Sequence, residues 1–356
     1  MKLLIVRLRL IGDVVFTTPV IRALRRRYPE AHLTYLVESA AAPVVSGNPH
    51  LNDVVTVPHT RGWRRLVDDL RLARRLRRAR FDVAIDLHGG PRSAWLTWAT
   101  RAPVRVGYDV AGRSWMYSSA VHRPRILRPR HSVINQWDLL TALDASWPPP
   151  DAEHDGVEMP ATPEAAAAIG ARLTSWGVPD AARIVVLHVS AGNPFRRWPE
   201  SAFAEFATSI VAGEPHRWVL VTSGPSDHAA AARVVHAAHA AAGDASPRIV
   251  DAEGLSLAEL RALFDRTALF VGGDSGPLHV ASTSSAPIVG LYGPTLPERS
   301  APWRPAHIPT ASVDAGALPC RPCDQRRCIP GDFRCLSGIA AARVASEAER
   351  LLEMTR

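Results

Sequence analysis

Residues 3–27 read LLIVRLRLIGDVVFTTPVIRALRRR. The apolar run from Leu3 to Leu8 predicts a buried strand, and the stretch from Val14 to Arg27 has the apolar spacing of a helix. A strand, a loop and a helix in this order form the unit from which parallel sheets are built. Further strands are predicted at 33–37, 54–57 and 83–87. The first half of the chain is therefore predicted to be a doubly wound α/β domain.

The second half repeats this order of elements. Strands are predicted at 184–189, 218–222 and 269–272, each followed by a loop and a helical segment. Between the halves, the chain from Trp147 to Pro163 is rich in proline and acidic residues, a composition that interrupts helices and central strands. A length of 356 residues also fits two domains better than one. We predict a first domain at 1–150, a linker at 151–163, a second domain at 164–337 and a C-terminal helix at 338–356.

The net charge of +8 comes almost wholly from arginine, since Lys2 is the only lysine. Arginine suits planar, bidentate contacts with phosphate and carboxylate, although high-GC codon usage could produce the same excess. The opening apolar run is interrupted by Arg7, Arg9 and Asp13. It therefore has neither a signal-peptide core nor the roughly 20 residues of a membrane span, and a cytoplasmic location is predicted.

The segment from Trp63 to Arg80 predicts a helix with an apolar face and a basic face. The apolar face consists of Trp63, Leu66, Val67, Leu70, Ala73 and Leu76, and the basic face of Arg64, Arg65, Arg71, Arg74, Arg75 and Arg78. A basic amphipathic helix suits an anionic membrane surface. The alternative is a solvated helix whose apolar stripe packs on its own domain.

Loops at the carboxyl ends of parallel strands are the candidate sites, because ligands of open α/β sheets bind there. The first such loop, residues 9–13, places Asp13 at a helix N-terminus, which stabilises negative charge. On this loop alone, a helix cap is the simpler interpretation of Asp13. The motif G-x-G-x-x-G, expected at this place in a nicotinamide or flavin enzyme, is absent, which argues against a dehydrogenase.

Two loops of the second half predict a diphosphate site. Residues 190–200, SAGNPFRRWPE, combine small residues that expose backbone N–H groups with two arginines. Residues 272–279, GGDSGPLH, follow an apolar strand and begin a helix. Helix-terminal N–H groups and arginine side chains both bind anionic oxygens. In a third loop, 222–228, Asp227 could accept hydrogen bonds from ribose hydroxyls or could simply cap a helix.

All four cysteines of the chain, Cys320, Cys323, Cys328 and Cys335, lie in one short segment. Their spacing, C-x2-C-x4-C-x6-C, could hold a tetrahedral metal ion, so a structural zinc ion is one interpretation. Reduced, unliganded thiols are the other main one, because stable disulfides are disfavoured in a cytoplasmic protein. The cluster is not evidence for catalysis.

The order of four motifs resembles glycosyltransferase family 9, the ADP-heptose:lipopolysaccharide heptosyltransferases. The motifs are RLxxIGDVVxxTP, HVSAGNPFRRWPE, GPSDH and FVGGDSGPLHVA, and they span nearly the whole chain. The resemblance implies the α/β GT-B arrangement, in which two Rossmann-like, doubly wound domains face a central cleft. It also implies that the N-terminal domain binds the acceptor and the C-terminal domain the sugar nucleotide. Transfer of a heptose would invert the anomeric carbon without a metal ion.

The resemblance also implies roles for single positions. Asp13 matches the catalytic carboxylate, and Arg196 stands where members commonly have a phosphate-binding lysine, a departure that keeps the charge. The implied donor-binding residues are Ser190, Gly192, Asn193, Arg196, Asp227, Gly273, Asp274, Ser275, Gly276 and His279. Arg92 and His131 are the candidate acceptor contacts.

Two other functions stay open, a sugar-nucleotide epimerase of the same two-domain arrangement and a basic nucleic-acid-binding protein. Against the latter, the basic residues lack interleaved aromatics and no nucleic-acid-binding motif is present. The resemblance implies ADP-heptose and the lipid A-core oligosaccharide as partners, the basic helix predicts contact with the inner membrane, and no nucleic acid is expected. No cofactor is expected in catalysis.

Overall fold

The computed structural model describes residues 1–58, 60, 62–122, 130–189, 193–323, 325 and 327–355. Internal contacts divide the chain into two units, Met1–Pro160 and Ala161–Arg356. The segment predicted as a linker, 151–163, is therefore shared between them.

The first unit contains, within its described residues, a six-stranded sheet in which all neighbouring strands are parallel. Its strands are β1 (Lys2–Val6), β2 (His32–Glu38), β3 (Asp53–Val57), β4 (Val83–Asp86), β5 (Val104–Asp109) and β6 (Ser119–His122). Their spatial order is β3-β2-β1-β4-β5-β6. The order reverses between β1 and β4, so a crevice for ligands is expected beyond the carboxyl ends of these two strands.

The helices of the first unit are α1 (Ile11–Val15), α2 (Thr18–Arg27), α3 (Gly62–Ala79), α4 (Pro91–Ala99) and α5 (Ser132–Leu143). The prediction of a single helix from Val14 to Arg27 is wrong, because α1 ends and α2 begins within that range. Pro19, which has no N–H to donate, lies in the first turn of α2, where no donor is required. The hydroxyl of Thr17 donates to the carbonyl of Val14 at 2.6 Å, which helps to close α1.

The acidic residues before Pro160 are bound to the first unit. Glu158 forms an ion pair with Arg22 of α2, and Asp155 forms one with Arg26. The N–H of Glu158 also donates to the Thr18 hydroxyl at 2.9 Å. These carboxylates therefore neutralise arginines of α2.

The second unit has the same strand order. Its described residues form a parallel six-stranded sheet, β12-β11-β10-β7-β8-β9. The strands are β7 (Arg183–His188), β8 (Arg217–Thr222), β9 (Ile249–Asp251), β10 (Thr267–Gly273), β11 (Ile288–Tyr292) and β12 (Thr310–Asp314). The order reverses between β7 and β10. The prediction of an α/β fold with two Rossmann-like, doubly wound sheets is thus confirmed.

The helices of the second unit pack around this sheet. They are α6 (Pro163–Ser175), α7 (Glu200–Gly213), α8 (His228–Ala242), α9 (Leu257–Phe264), α10 (Gly276–Ala281), α11 (Pro297–Ser300), α12 (Arg334–Ser337) and α13 (Ala341–Met354). Along α13, Val344, Ala348, Leu351 and Leu352 are buried at helical spacing in the core of this unit. The C-terminal helix is therefore part of the second unit.

Candidate functional site

Asp13 lies beside the crevice of the first unit, as the third residue of α1. Its carboxylate forms an ion pair with Arg7, a buried residue that follows β1 directly. The Nη1 of Arg7 donates to the carbonyl of Leu87 after β4 at 2.6 Å, so Arg7 bridges both sides of the crevice. The N-cap of α1 is Leu10, so the interpretation of Asp13 as a helix cap is wrong. With its side chain 35% exposed, Asp13 is held on one side and open on the other.

His88 borders the same crevice and was missed by the sequence motifs. Burial, and after it the positive charge of Arg7, lowers the pKa of His88, so its imidazole is neutral at neutral pH. The turn that presents it is fixed by the buried carboxylate of Asp86, which accepts from the N–H groups of His88 and Gly89 at 2.9 and 3.0 Å. The hydroxyl of Tyr117 donates to the other oxygen of Asp86 at 2.6 Å. The signal that could have indicated His88 is its position just after a predicted strand.

Arg92 lines a cavity of about 350 Å³ in the first unit, which Arg9, Arg65 and His88 also line. The Arg92 guanidinium is 2.5 Å from a carboxylate oxygen of Asp69 and 3.4 Å from one of Glu38, so its charge is balanced within the protein. Arg9 is exposed, and its side chain makes no ion pair within the part of the chain that the structure describes. Arg9 therefore adds a positive charge to this cavity that no described carboxylate balances.

His131 lies elsewhere in the first unit and is not among the residues that line this cavity. It is the N-cap of α5, where its Nδ1 accepts from the N–H of Val133 at 3.2 Å. Its ring packs edge to face against Phe16, which follows α1, with the ring centroids 5.1 Å apart. The structure thus gives the two predicted acceptor residues different surroundings.

The two loops predicted to bind a diphosphate follow β7 and β10, the strands between which the sheet order of the second unit reverses. They touch each other, since a Cβ on Gly273 would be 3.2 Å from the backbone oxygen of Arg196. Ser190 and Gly192 lie outside the described residues. The other predicted donor residues of these loops, Asn193, Arg196, Gly273, Asp274, Ser275, Gly276 and His279, are placed at this edge of the sheet.

Asp274 organises this edge. Its carboxylate is 3.3 Å from Nε2 of His279 and accepts from the Thr295 hydroxyl at 2.6 Å. Burial alone would raise the pKa of Asp274, but His279, Arg196 and Thr295 outweigh it and lower that pKa to about 2. Asp274 is only 3% exposed. It therefore positions its neighbours as a buried anion.

Arg196 is oriented by the loops around it. Its Nη1 donates to the backbone oxygen of Asp274 at 3.0 Å and lies 3.4 Å from a carboxylate oxygen of the same residue. Its Nε donates to the side-chain oxygen of Gln325 at 2.8 Å. Beside it, Ser275 is the N-cap of α10, and its enclosed hydroxyl has no hydrogen-bond partner within the described residues. A fixed cation and a hydroxyl group thus lie near the N-terminus of α10.

Asp227 follows β8 and precedes α8. Its carboxylate is 2.7 Å from the guanidinium of Arg197 and only 3% exposed, whereas the Arg197 side chain is 43% exposed. This pair leaves little carboxylate surface for a ribose hydroxyl and presents Arg197 instead. The ribose contact stays a prediction, and Arg197 is the second arginine of the loop 190–200, with a side chain that the structure leaves partly exposed.

The four cysteines line one cavity of about 320 Å³ in the second unit, together with Phe195 and Phe333. They are not joined by disulfides. Burial, and next to it the neighbouring Cys320, raises the pKa of Cys335. Among the described residues, no three histidine, cysteine or acidic side chains are grouped so as to hold a metal ion. The structural zinc ion stays a prediction.

None of the described helices is both long and apolar enough to span a membrane. The exposed apolar side chains of α3, among them Trp63 and Leu66, are grouped in its N-terminal half. Leu72 and Leu76, in its C-terminal half, belong to the core of the first unit. The alternative of a helix packed on its own domain is therefore correct for only half of α3.

Comparison with known proteins gives one consistent family. Residues 69–330 match the model of glycosyltransferase family 9 (heptosyltransferase). The chain is 27% identical over 352 residues to lipopolysaccharide heptosyltransferase 3 of Escherichia coli, with 97% of each chain covered. The structure of a family 9 glycosyltransferase from Veillonella parvula is similar with a TM-score of 0.84, 24% identity and coverage of 99% and 97%. For E. coli ADP-heptose lipopolysaccharide heptosyltransferase II, the TM-score is 0.78 at 21% identity, with coverage of 100% and 99%.

Proposed function

Because the chain belongs to glycosyltransferase family 9, we propose that it transfers a heptose from ADP-heptose to the inner core of lipopolysaccharide. Full-length similarity to a lipopolysaccharide heptosyltransferase supports this activity over the epimerase and the nucleic-acid-binding alternatives. The structural observation that carries the proposal is the edge of the second sheet at which the loops after β7 and β10 meet, called here the diphosphate edge. There Arg196, held by Asp274, stands beside the N-terminus of α10 at the point where the strand order reverses.

In the proposed reaction, Asp13 accepts the proton of the acceptor hydroxyl as that oxygen attacks the anomeric carbon. A neutral alcohol is a poor nucleophile, so a positioned base accelerates this step. Arg7 orients one side of the carboxylate, and the exposed side is left for the acceptor. Attack opposite the leaving ADP inverts the anomeric carbon. Arg196 and the N–H groups at α10 stabilise the charge on the leaving diphosphate, which is the work that a metal ion does in other transferases.

We also propose that the acceptor is acidic and binds at the cavity of the first unit. Arg9 and Arg65 supply exposed positive charge there, and Arg92 is held firmly by Asp69. A carboxylate or phosphate of the lipid A-core oligosaccharide is the kind of group that arginine binds. The proposed place of action is the cytoplasmic face of the inner membrane, where α3 would rest its exposed Trp63 and Leu66.

Acceptor-dependent release of ADP tests this function. Purified protein is incubated with ADP-heptose, with and without a lipid A-core acceptor, and both ADP and glycan mass are measured. We expect ADP only when the acceptor is present, and a mass gain of one heptose on the glycan. Conversion of the sugar nucleotide without an acceptor would contradict transfer and favour an epimerase.

A further inference from the structure

The cysteine-rich segment, which the structure describes at 319–323, 325 and 327–337, is attached to the diphosphate edge at several points. The N–H of Cys323 donates to the carbonyl of Pro294 at 3.1 Å, and Arg321 donates to the carbonyl of Thr295 at 3.0 Å. Phe333 packs edge to face against Phe195, with the ring centroids 5.4 Å apart. Since Thr295 also contacts Asp274, the segment is part of the same network as the predicted donor loops.

Gln325 extends from this segment to the diphosphate loop. Its side-chain oxygen accepts from Nε of Arg196 at 2.8 Å and from Nδ2 of Asn193 at 2.9 Å. Both partners are donors, so the amide must present its oxygen to them. The N–H of Gln325 donates to Sγ of Cys323 at 3.3 Å, which helps to fix the turn that carries it.

The contacts of Arg196 determine which part of its guanidinium is available. Nε is bound by Gln325 and Nη1 by Asp274, while Nη2 has no hydrogen-bond partner among the residues that the structure describes. The side chain is 29% exposed, so the head group can be reached. Gln325 and Asp274 together therefore leave Nη2 as the group that a ligand oxygen would meet.

We infer that Gln325 is a positioning residue for the donor diphosphate, which it serves by holding the guanidinium of Arg196 in a fixed orientation. The inference rests on the proposed function. A guanidinium binds through directed N–H groups, whereas an ammonium acts as a point charge, so only the arginine gains from an acceptor that sets its direction. Prior orientation lowers the entropy lost on binding.

The test compares Gln325→Met with wild type in the full-length protein. Methionine has a similar volume but cannot accept these bonds, and Gln325→Ala serves as a second variant. Of the two hydrogen bonds lost, the one to Arg196 favours the binding orientation by about 0.5–1.5 kcal/mol, so ADP affinity measured by calorimetry should fall about 2- to 12-fold. The melting temperature should stay near that of wild type. Ile329→Ala, a change at an 85% exposed residue of the same segment, is the control and should bind ADP normally.

A double-mutant cycle separates orientation of Arg196 from a general structural effect. In an Arg196→Lys background, Gln325→Met should lower ADP affinity by less than it does in the wild-type background, because the lysine has no Nε donor for Gln325 to hold and only the bond to Asn193 is lost. Equal ADP affinity of Gln325→Met and wild type would overturn the inference, as would the same loss in both backgrounds. If either result is found and the wild-type protein still transfers heptose, the inference about Gln325 fails and the proposed function stays intact. A wild-type protein that neither binds ADP nor transfers heptose would overturn the proposed function itself.

Discussion

Single charged residues gain their roles from partners that are distant in the chain or on a neighbouring turn. Arg7 follows β1, contacts the loop after β4 and forms an ion pair with Asp13. Asp274 is almost fully buried and holds both Arg196 and His279. The Arg7–Asp13 pair and the Asp274–Arg196 pair each combine one nearly buried charge with one more exposed group. This arrangement stabilises the orientation of the exposed member. In each pair, the exposed member is the residue to which the proposed function assigns contact with substrate.

Asp13→Asn keeps the shape of the side chain and an acceptor for Arg7 but removes the base. We expect kcat to fall about 10²–10⁴-fold, the range contributed by a positioned general base. ADP affinity should be unchanged, since the donor residues belong to the second unit. The measurement is ADP release under conditions where chemistry limits turnover. Asp53→Asn, at an exposed carboxylate of the same unit, is the matched control. Near-normal kcat in Asp13→Asn would reduce Asp13 to a partner of Arg7.

At the level of elements, α3 illustrates how one helix can have two surroundings. Its periodicity predicts one continuous apolar stripe, but only the C-terminal half meets the sheet core through Leu72 and Leu76. Trp63 and Leu66 are 70% and 67% exposed, beside the exposed Arg64. A tryptophan with leucine and arginine neighbours is typical of a helix that lies in a membrane interface.

The exposed apolar side chains of α3 and its basic face together predict binding to anionic lipid vesicles. Replacing Arg71, Arg74, Arg75 and Arg78 by Gln should weaken that binding by about 10²–10³-fold at low salt, since each cation near such a surface contributes roughly 1 kcal/mol. Trp63→Ser combined with Leu66→Ser should weaken it as well, and should do so also at high salt, where charge effects are screened. Turnover of a short soluble acceptor is the control and should be unchanged. Vesicle binding equal to that of wild type in both variants would exclude a membrane role for α3.

The sequence patterns did not identify five of the described strands, of which β5 and β11 lie inside the sheets and β6, β9 and β12 at their edges. β6, at one edge of the first sheet, alternates intermediate and exposed residues, and β9 has only three residues. Such strands lack the continuous apolar run that marks a strand buried on both faces. The central strands β1 and β7 were predicted from their continuous apolar runs, whereas the central strand β11, although fully buried, was not.

At the scale of the whole molecule, each unit reverses its strand order at one place, and that place predicts where ligands act. ADP should therefore slow hydrogen exchange in peptides that contain Asn193–Trp198 and Asp274–His279. Peptides at the opposite edge of the same sheet, around Pro179–Ala182, should exchange as in the free protein. Mass spectrometry of exchanged peptides measures both regions in one experiment. Protection confined to the opposite edge would contradict the placement of the donor site.

Local patterns in the sequence were sufficient to predict two doubly wound α/β units, the loops that follow their central strands and the family motifs in those loops. This is because strand burial, helix periodicity and short motifs depend on residues close together in the chain. Contacts between distant segments required the tertiary structure. Gln325 meets Arg196 across 129 residues, and Arg92 meets Asp69 across 23. The exposure of half of α3 likewise depends on where the sheet core ends. No local pattern encodes such contacts, because burial and charge pairing are set by the folding of the whole unit.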